Sequence, residues 1–246
     1  MIALRRAVKY LVPGPLHAPV GRCLRRARHF GYARTCPVCC SHVRGFRPHG
    51  IVRRADAVCP VCESRERHRL AWVYIQRRTR LLEAHARLLH VAPETELSRR
   101  FRAQPNLKYV TTDIGCHPMI RSDIIALPFR AESFDAIYCS HVLNMIPTDG
   151  PAITELYRVL RRGGFALLQV PIGSELTAEL PAKATPDERL EAFNDPGMFR
   201  VYGIDFVDRL KAGGFNVVVE RFQRDVPPRE RVRYGLHDEA LFLCRK

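Results

Sequence analysis

Two copies of one tetrapeptide, Cys36-Pro37-Val38-Cys39 and Cys59-Pro60-Val61-Cys62, are the residues whose type and spacing point most directly to chemistry. Two residues between thiolates let a tight turn aim both sulfurs at one ion about 2.3 Å away, and two such turns close a tetrahedron. Nineteen residues separate Cys39 from Cys59, so Cys36, Cys39, Cys59 and Cys62 are the expected ligands of a four-cysteine zinc site. Four protein ligands leave no open position. The zinc would therefore be structural, supplying on the order of 10 kcal/mol of folding free energy to a segment too small to bury a core. Cys40, beside a ligand, is an alternative to Cys39, and a redox pair is the competing explanation of either tetrapeptide taken singly.

A second set of polar residues surrounds the run FDAIYCS, residues 134–140, which reads as a buried strand breaking into a loop at His141. In an open parallel sheet the ligand crevice lies outside the carboxyl ends of the strands, so Asp123, Ser140, His141 and Asn144 stand where chemistry is expected. His141 is the first candidate for a base, since an unperturbed histidine titrates near ~6.5.

The elements that must hold these residues follow from periodicity. Residues 63–82 read as a helix rich in arginine. From residue 87 onward strands at 88–91, 109–112, 119–125, 134–140 and 165–170 alternate with helices at 94–103, 150–160 and 204–212, and the chain closes on strands at 216–222 and 240–244. Such alternation predicts a mostly parallel sheet covered by helices. The expected domains are a basic N-terminal segment, 1–35, a zinc ribbon, 36–65, a linking helix, 66–86, and an α/β domain, 87–246, with a polar, proline-bearing lid over about 171–200. Arg200 and Tyr202, at the end of that lid, are candidates for gripping a substrate.

The chain has 246 residues and a formal net charge of +15. Residues 1–80 hold 18 Lys and Arg against 3 Asp and Glu, while 81–246 are balanced at 22 of each, so the whole excess lies in the first third. That suits a polyanionic partner, nucleic acid or an acidic membrane surface; a coding bias toward arginine is the bland alternative. Leu4, Ala7, Val8 and Leu11 fall at helical spacing among basic residues, giving a short amphipathic helix whose simplest role is packing on its own domain. No apolar run approaches the ~20 residues of a membrane span, and nine cysteines without a secretory signal indicate a reducing, cytoplasmic setting.

Residues 123–135, with the pattern D-x-x-x-L-P-F-x-x-x-S-F-D ahead of the strand, resemble the centre of a class I S-adenosylmethionine-dependent methyltransferase of type 11. The likeness extends over 87–246, including Arg158-Val159-Leu160 with Gly163-Gly164 before the fifth strand, and implies a seven-stranded, mostly parallel Rossmann-like sheet with a small N-terminal zinc-ribbon module. It implies S-adenosyl-L-methionine as cofactor, with Asp113 taking the ribose hydroxyls, Asp123 facing the adenine amino group, Ile124 packing on the ring, and Ser140 and His141 beside the methionine moiety. Ala92 and Glu94 belong to the first cofactor loop. There the chain departs from the family: His90-Val91-Ala92-Pro93-Glu94 contains no glycine, a variant that resembles a subset of zinc-ribbon methyltransferases. Only nine residues separate Asp113 from Asp123, so the usual crossover helix is absent or reduced to a loop. Asn144, with Arg200 and Tyr202, would meet a methyl acceptor: a small molecule, a lipid or glycan precursor, or nucleic acid. The alternative is a catalytically degenerate adaptor whose basic zinc module binds RNA or an anionic surface.

Overall fold

The computed structural model describes residues 17–50, 53–115 and 118–246, and these fall into two units. One takes in the chain up to Val73 and a return segment, Val226–His237; the other comprises Tyr74–Asp225 and Asp238–Lys246. The amphipathic helix expected at residues 4–11 lies outside the described residues.

In the first unit, helix α1 (His17–His29) precedes an antiparallel pair, β1 (Arg34–Cys36) with β2 (Ser41–Val43), and a second pair, β3 (Arg47–His49) with β4 (Arg54–Val58). Each CPVC turn closes the same way: the Cys40 amide donates to the Cys36 carbonyl and the Glu63 amide to the Cys59 carbonyl, at 2.8 and 2.9 Å. The residue after each turn, Cys40 or Glu63, sits at φ 57° or 65°, the left-handed conformation that lets the chain leave a knuckle. Helix α2 (Glu66–Arg78) follows, shorter than the expected 63–82 and not a surface element, because Leu70 to Ile75 are all buried and Arg69 is fully so.

Tyr74–Asp225 and Asp238–Lys246 build the sheet. In chain order the elements are β5 (Ala86–Val91), α3 (Thr95–Arg102), β6 (Leu107–Asp113), β7 (Ile120–Arg121), β8 (Phe134–Ser140), a 3-10 turn (Leu143–Met145), α4 (Gly150–Val159) and β9 (Leu160–Gln169). There follow β10 (Ile172–Ser174), β11 (Ala178–Glu179), α5 (Pro186–Phe193), β12 (Arg200–Gly203), α6 (Phe206–Ala212) and β13 (Asn216–Glu220). Helix α7 (Pro228–Tyr234) lies in the return segment, and β14 (Leu241–Arg245) ends the chain. The seven strands run in the order β13-β14-β9-β8-β5-β6-β7, parallel from β9 through β7, with β14 antiparallel to both its neighbours. This is the seven-stranded, mostly parallel, Rossmann-like methyltransferase sheet.

Central β8 is apolar and buried from Ala136 to Cys139 because both its faces are covered, as parallel sheets require. Its neighbours β5 and β9 supply Leu89, Val91, Ala166 and Leu168 to one core with Ile153, Leu156, Phe206 and Phe242. Strand β7 is two residues long and joins β6 directly across the short connection, with no helix among the described residues between Asp113 and Asp123. The segment expected to be a lid has its own order: β10-β12-β11 form a small sheet, and Thr185 and Glu188 make a reciprocal capping box at the start of α5.

Candidate functional site

Register brings the polar residues together. Val91 pairs with both Thr112 and Cys139, and Ser140 with Gln169, so β5, β6, β8 and β9 end at one edge and deliver Ala92, Asp113, Ser140 and His141 there.

At the glycine-free loop, Ala92 adopts φ 48° and its amide donates to the Thr112 carbonyl at 2.8 Å. The left-handed turn that glycine makes easily is thus made by alanine, at a cost of roughly 1–2 kcal/mol. A brace holds it. Fully buried His90 bonds Glu94 through Nε2 at 2.8 Å and the Tyr109 hydroxyl through Nδ1 at 2.8 Å, and that hydroxyl also meets Ser98. Since a carboxylate can only accept, Nε2 carries the proton and Nδ1 accepts from Tyr109. Burial pushes the Tyr109 phenol up, so it remains a donor. The first and last residues of His-x-Ala-Pro-Glu therefore close on each other across the turn. Their spacing of four was visible in the sequence, although His90 was not among the expected site residues.

Asp113 ends β6 half-exposed; its Oδ1 accepts the Gly115 amide at 3.3 Å. Asp123 is exposed, with Oδ1 accepting from the Ile125 amide at 3.2 Å. Both retain acceptor capacity for hydroxyl or amino donors. Ile124 faces the core rather than the edge, and Ile125 is the exposed apolar residue there. Ser140 and Asn144 are 6% and 1% exposed, and Ser140 Oγ and Asn144 Oδ1 have no hydrogen-bond partner among the described residues. A buried polar atom left so costs about 1–3 kcal/mol unless a ligand or solvent satisfies it.

His141 takes φ 55°, its amide donating to the Gln169 carbonyl at 2.8 Å, and its Nε2 lies 3.2 Å from Glu239 Oε1. The Tyr138 hydroxyl donates to Gln169 Oε1 at 3.0 Å, and Gln169 Nε2 reaches Glu239 at 3.5 Å. Glu239 holds the proton on Nε2 and leaves Nδ1 as the basic nitrogen. No sequence signal indicated Glu239, which is 98 residues away.

Arg200 and Tyr202 are buried and bonded within the fold, and Arg200 also lines a cavity there. Arg200 donates to the carbonyls of Leu143, Ile146 and Pro147 and to Glu179, fixing the loop after β8. The Tyr202 hydroxyl donates to Asp149 at 2.7 Å, and burial, then the Asp149 carboxylate, push its phenol up. Arg209 links Asp149 to Glu179 beside a cavity of about 360 Å³ bordered by Pro147, Leu180 and Ala182.

In the first unit, the four expected cysteines have their sulfurs within 4.8 Å of one another, all buried. Cys36 and Cys62 are 3.7 Å apart and Cys39 and Cys59 3.9 Å. A tetrahedron with bonds of ~2.3 Å has edges of about 3.8 Å, so the cluster suits zinc. Ser41 and Ser64 hydroxyls lie 3.1–3.3 Å from the sulfurs of Cys39, Cys36 and Cys62, where they can donate to thiolates. Cys40 is exposed and outside the cluster, which contains Cys39 instead. Arg69 donates to the carbonyls of Asp56, Ala57, Ser64, Tyr234 and Gly235 and lies 3.9 Å over the Phe46 ring. Gly235, at φ 58°, presses against that ring, where a side chain would collide.

The sheet order and the polar edge define a Rossmann-like methyltransferase fold. Residues 74–168, less than half of the chain, match the family described as "Methyltransferase domain". Among solved structures, the (4+2)-cyclase SpnF is similar at TM-score 0.54 and 16% identity over 95% of either chain. An S-adenosylmethionine-dependent methyltransferase from Mesorhizobium loti is similar at TM-score 0.49 and 14% identity, over 71% of this chain and 97% of that one. A Burkholderia thailandensis 1,6-didemethyltoxoflavin-N1-methyltransferase, with bound 1,6-didemethyltoxoflavin and S-adenosylhomocysteine, follows at 0.48 and 16%, over 67% and 72%. The first of these likenesses bears on the fold alone, and its bearer is named for a cyclisation, so architecture by itself does not select the reaction.

Proposed function

We propose that the protein transfers a methyl group from S-adenosyl-L-methionine to an acceptor that loses a proton, while a zinc ion at Cys36, Cys39, Cys59 and Cys62 folds the N-terminal unit. The observation that carries this is the shared strand edge: the methyltransferase-family match covers strands whose aligned ends present Ala92, Asp113, Ser140 and His141 together. The residues fit the cofactor. Asp113 offers acceptors for the ribose hydroxyls, Asp123 for the adenine amino group, and Ile125, rather than Ile124, an exposed apolar face for the ring. Ser140 Oγ and Asn144 Oδ1 are buried polar atoms for which a ligand would supply partners. When bound, S-adenosyl-L-methionine supplies an already activated methyl group, so the protein's task is chiefly alignment. His141, oriented by Glu239, takes the acceptor's proton on Nδ1, and the His90–Glu94 brace keeps the Ala92 turn in shape without glycine.

The test is calorimetric titration of the zinc-loaded protein with S-adenosyl-L-methionine and S-adenosylhomocysteine, alongside Asp113→Ala. Micromolar binding, weakened at least about 100-fold by losing hydrogen bonds from both hydroxyls to a carboxylate, is expected. Absence of binding by a folded, zinc-loaded protein would overturn the enzymatic proposal and leave the adaptor in its place.

A further inference from the structure

Much of the basic excess of the first unit is engaged internally. Arg25 donates to the Val61 carbonyl, Arg26 to the Cys39 carbonyl and Ser41, and Arg69 to five carbonyls; Arg34 pairs with Asp56 and Arg54 with Glu66. Two large aromatic rings, in contrast, face outward. Tyr32 is 77% and Phe30 52% exposed, their centroids 5.1 Å apart edge to face, with the His42 ring 5.9 Å from Tyr32. Arg44 packs against Gly31, the residue between the two in sequence. Its amide donates to the His29 carbonyl, its guanidinium reaches the Arg28 carbonyl, and its Cγ lies so close to Gly31 that a methyl there would sit 2.4 Å from it. Gly31 is therefore what lets the arginine stem lie against the backbone that joins the two ring-bearing residues. Arg28 and Arg47 are exposed nearby, and the positive field is felt at His29, which is held below its usual value first by partial burial and then by Arg28, Arg47 and Arg44.

We infer that this face, Phe30, Tyr32 and His42 flanked by Arg28, Arg44 and Arg47, binds single-stranded nucleic acid. Flat rings presented to solvent beside guanidinium groups match a chain that alternates stackable bases with phosphates. A duplex hides its base faces and cannot use the rings. An anionic membrane would use the same charges, but the face offers π-surfaces carrying a hydroxyl and an imidazole rather than an aliphatic wedge. The pairs β1 with β2 and the two CPVC turns hold the platform still, so little ordering is needed on binding. The inference stands apart from methyl transfer: the platform lies wholly within the first unit.

The experiment is fluorescence anisotropy of the full-length, zinc-loaded protein with a labelled mixed-sequence single-stranded RNA 12-mer and its duplex, together with co-sedimentation on phosphatidylserine vesicles. Single-strand binding is expected to exceed duplex binding. Tyr32→Ala and Phe30→Ala should each lower it about tenfold, as loss of one stacked ring does. Arg44→Ala should reduce the slope of log affinity against log salt by about 0.7. Arg130→Ala, exposed on the other unit, should leave affinity unchanged. Neither aromatic substitution touches the metal site, and zinc content is measured to verify folding. Equal binding of duplex and single strand, indifference to both ring substitutions, or a preference for vesicles lost with the same rings would each overturn the assignment.

Discussion

Replacing Arg69 by methionine should unseat the return segment from the rest of the first unit. The substitution keeps most of the side-chain volume but removes every donor from five carbonyls, those of Asp56, Ala57, Ser64, Tyr234 and Gly235, which lie 2.7–3.1 Å from the guanidinium. It also removes a cation from over the Phe46 ring and from the field of the Cys36, Cys59 and Cys62 thiolates. Hydrogen bonds to a charged group are worth about 1.5–3 kcal/mol each, yet some of the carbonyls will find water after local opening. Removing one partner of a buried charged network costs about 3–5 kcal/mol, and about 4 kcal/mol is the figure expected here. That corresponds to roughly a thousandfold in the opening equilibrium. Two readouts follow it: the rate at which a colorimetric chelator strips zinc, and hydrogen exchange of amides in α7 (Pro228–Tyr234). Both should accelerate by about that factor. Arg69→Lys should fall between, since an ammonium has three donors for five acceptors. A methionine variant whose zinc release and exchange match the parent protein would refute the reasoning, showing that solvent replaces the guanidinium without penalty.

Glu94→Gln retains the size of the side chain but loses the charge-assisted bond to His90, so S-adenosyl-L-methionine affinity should drop about tenfold in calorimetry with the fold intact. Ala92→Gly relieves the turn at φ 48° and, net of the flexibility glycine adds to the unfolded chain, should raise the urea midpoint by an amount equivalent to up to about 1 kcal/mol. Cys62→Ser leaves three sulfurs for a four-coordinate ion; zinc by atomic absorption should fall toward zero, whereas Cys40→Ser should change nothing. Glu155 is held below the usual carboxylate range by its bonds to Arg158, and the Leu127 amide adds to this. Its contribution to stability is complete above the unfolded value of ~4.3 and is lost as pH falls through the lower folded value. Glu155→Gln should therefore flatten the acid limb of the stability curve, and an unchanged limb would dismiss the assignment.

The sheet was legible because its signals are local. Buried parallel strands are continuous apolar runs, so the expected 134–140 coincides with β8, and the others differ from their expected ends by a few residues. The largest difference is β9, which begins at Leu160 instead of 165 because Leu160 pairs with Phe134 before the ladder shifts. Local spacing also pointed to the four clustered cysteines, and the nine-residue connection after Asp113 announced that no crossover helix stands there among the described residues. The unit boundary was less visible: it falls inside α2, between Val73 and Tyr74, and 226–237, expected in the α/β domain, belongs with the first unit.

By itself, then, the sequence determined what depends on neighbours along the chain: strand and helix periods, the CPVC turns, and the order of acidic and polar residues at strand ends. The tertiary structure decided which side chains of the same type serve which purpose. Arg69 and Arg200 point inward to carbonyls while Arg28 and Arg47 face solvent, a distinction that composition does not contain. Glu239 meets His141 across 98 residues and the Tyr202 hydroxyl meets Asp149 across 53, because packing brings together groups whose separation in sequence carries no signal. The energy of such contacts comes from burial, and burial is a property of the folded whole.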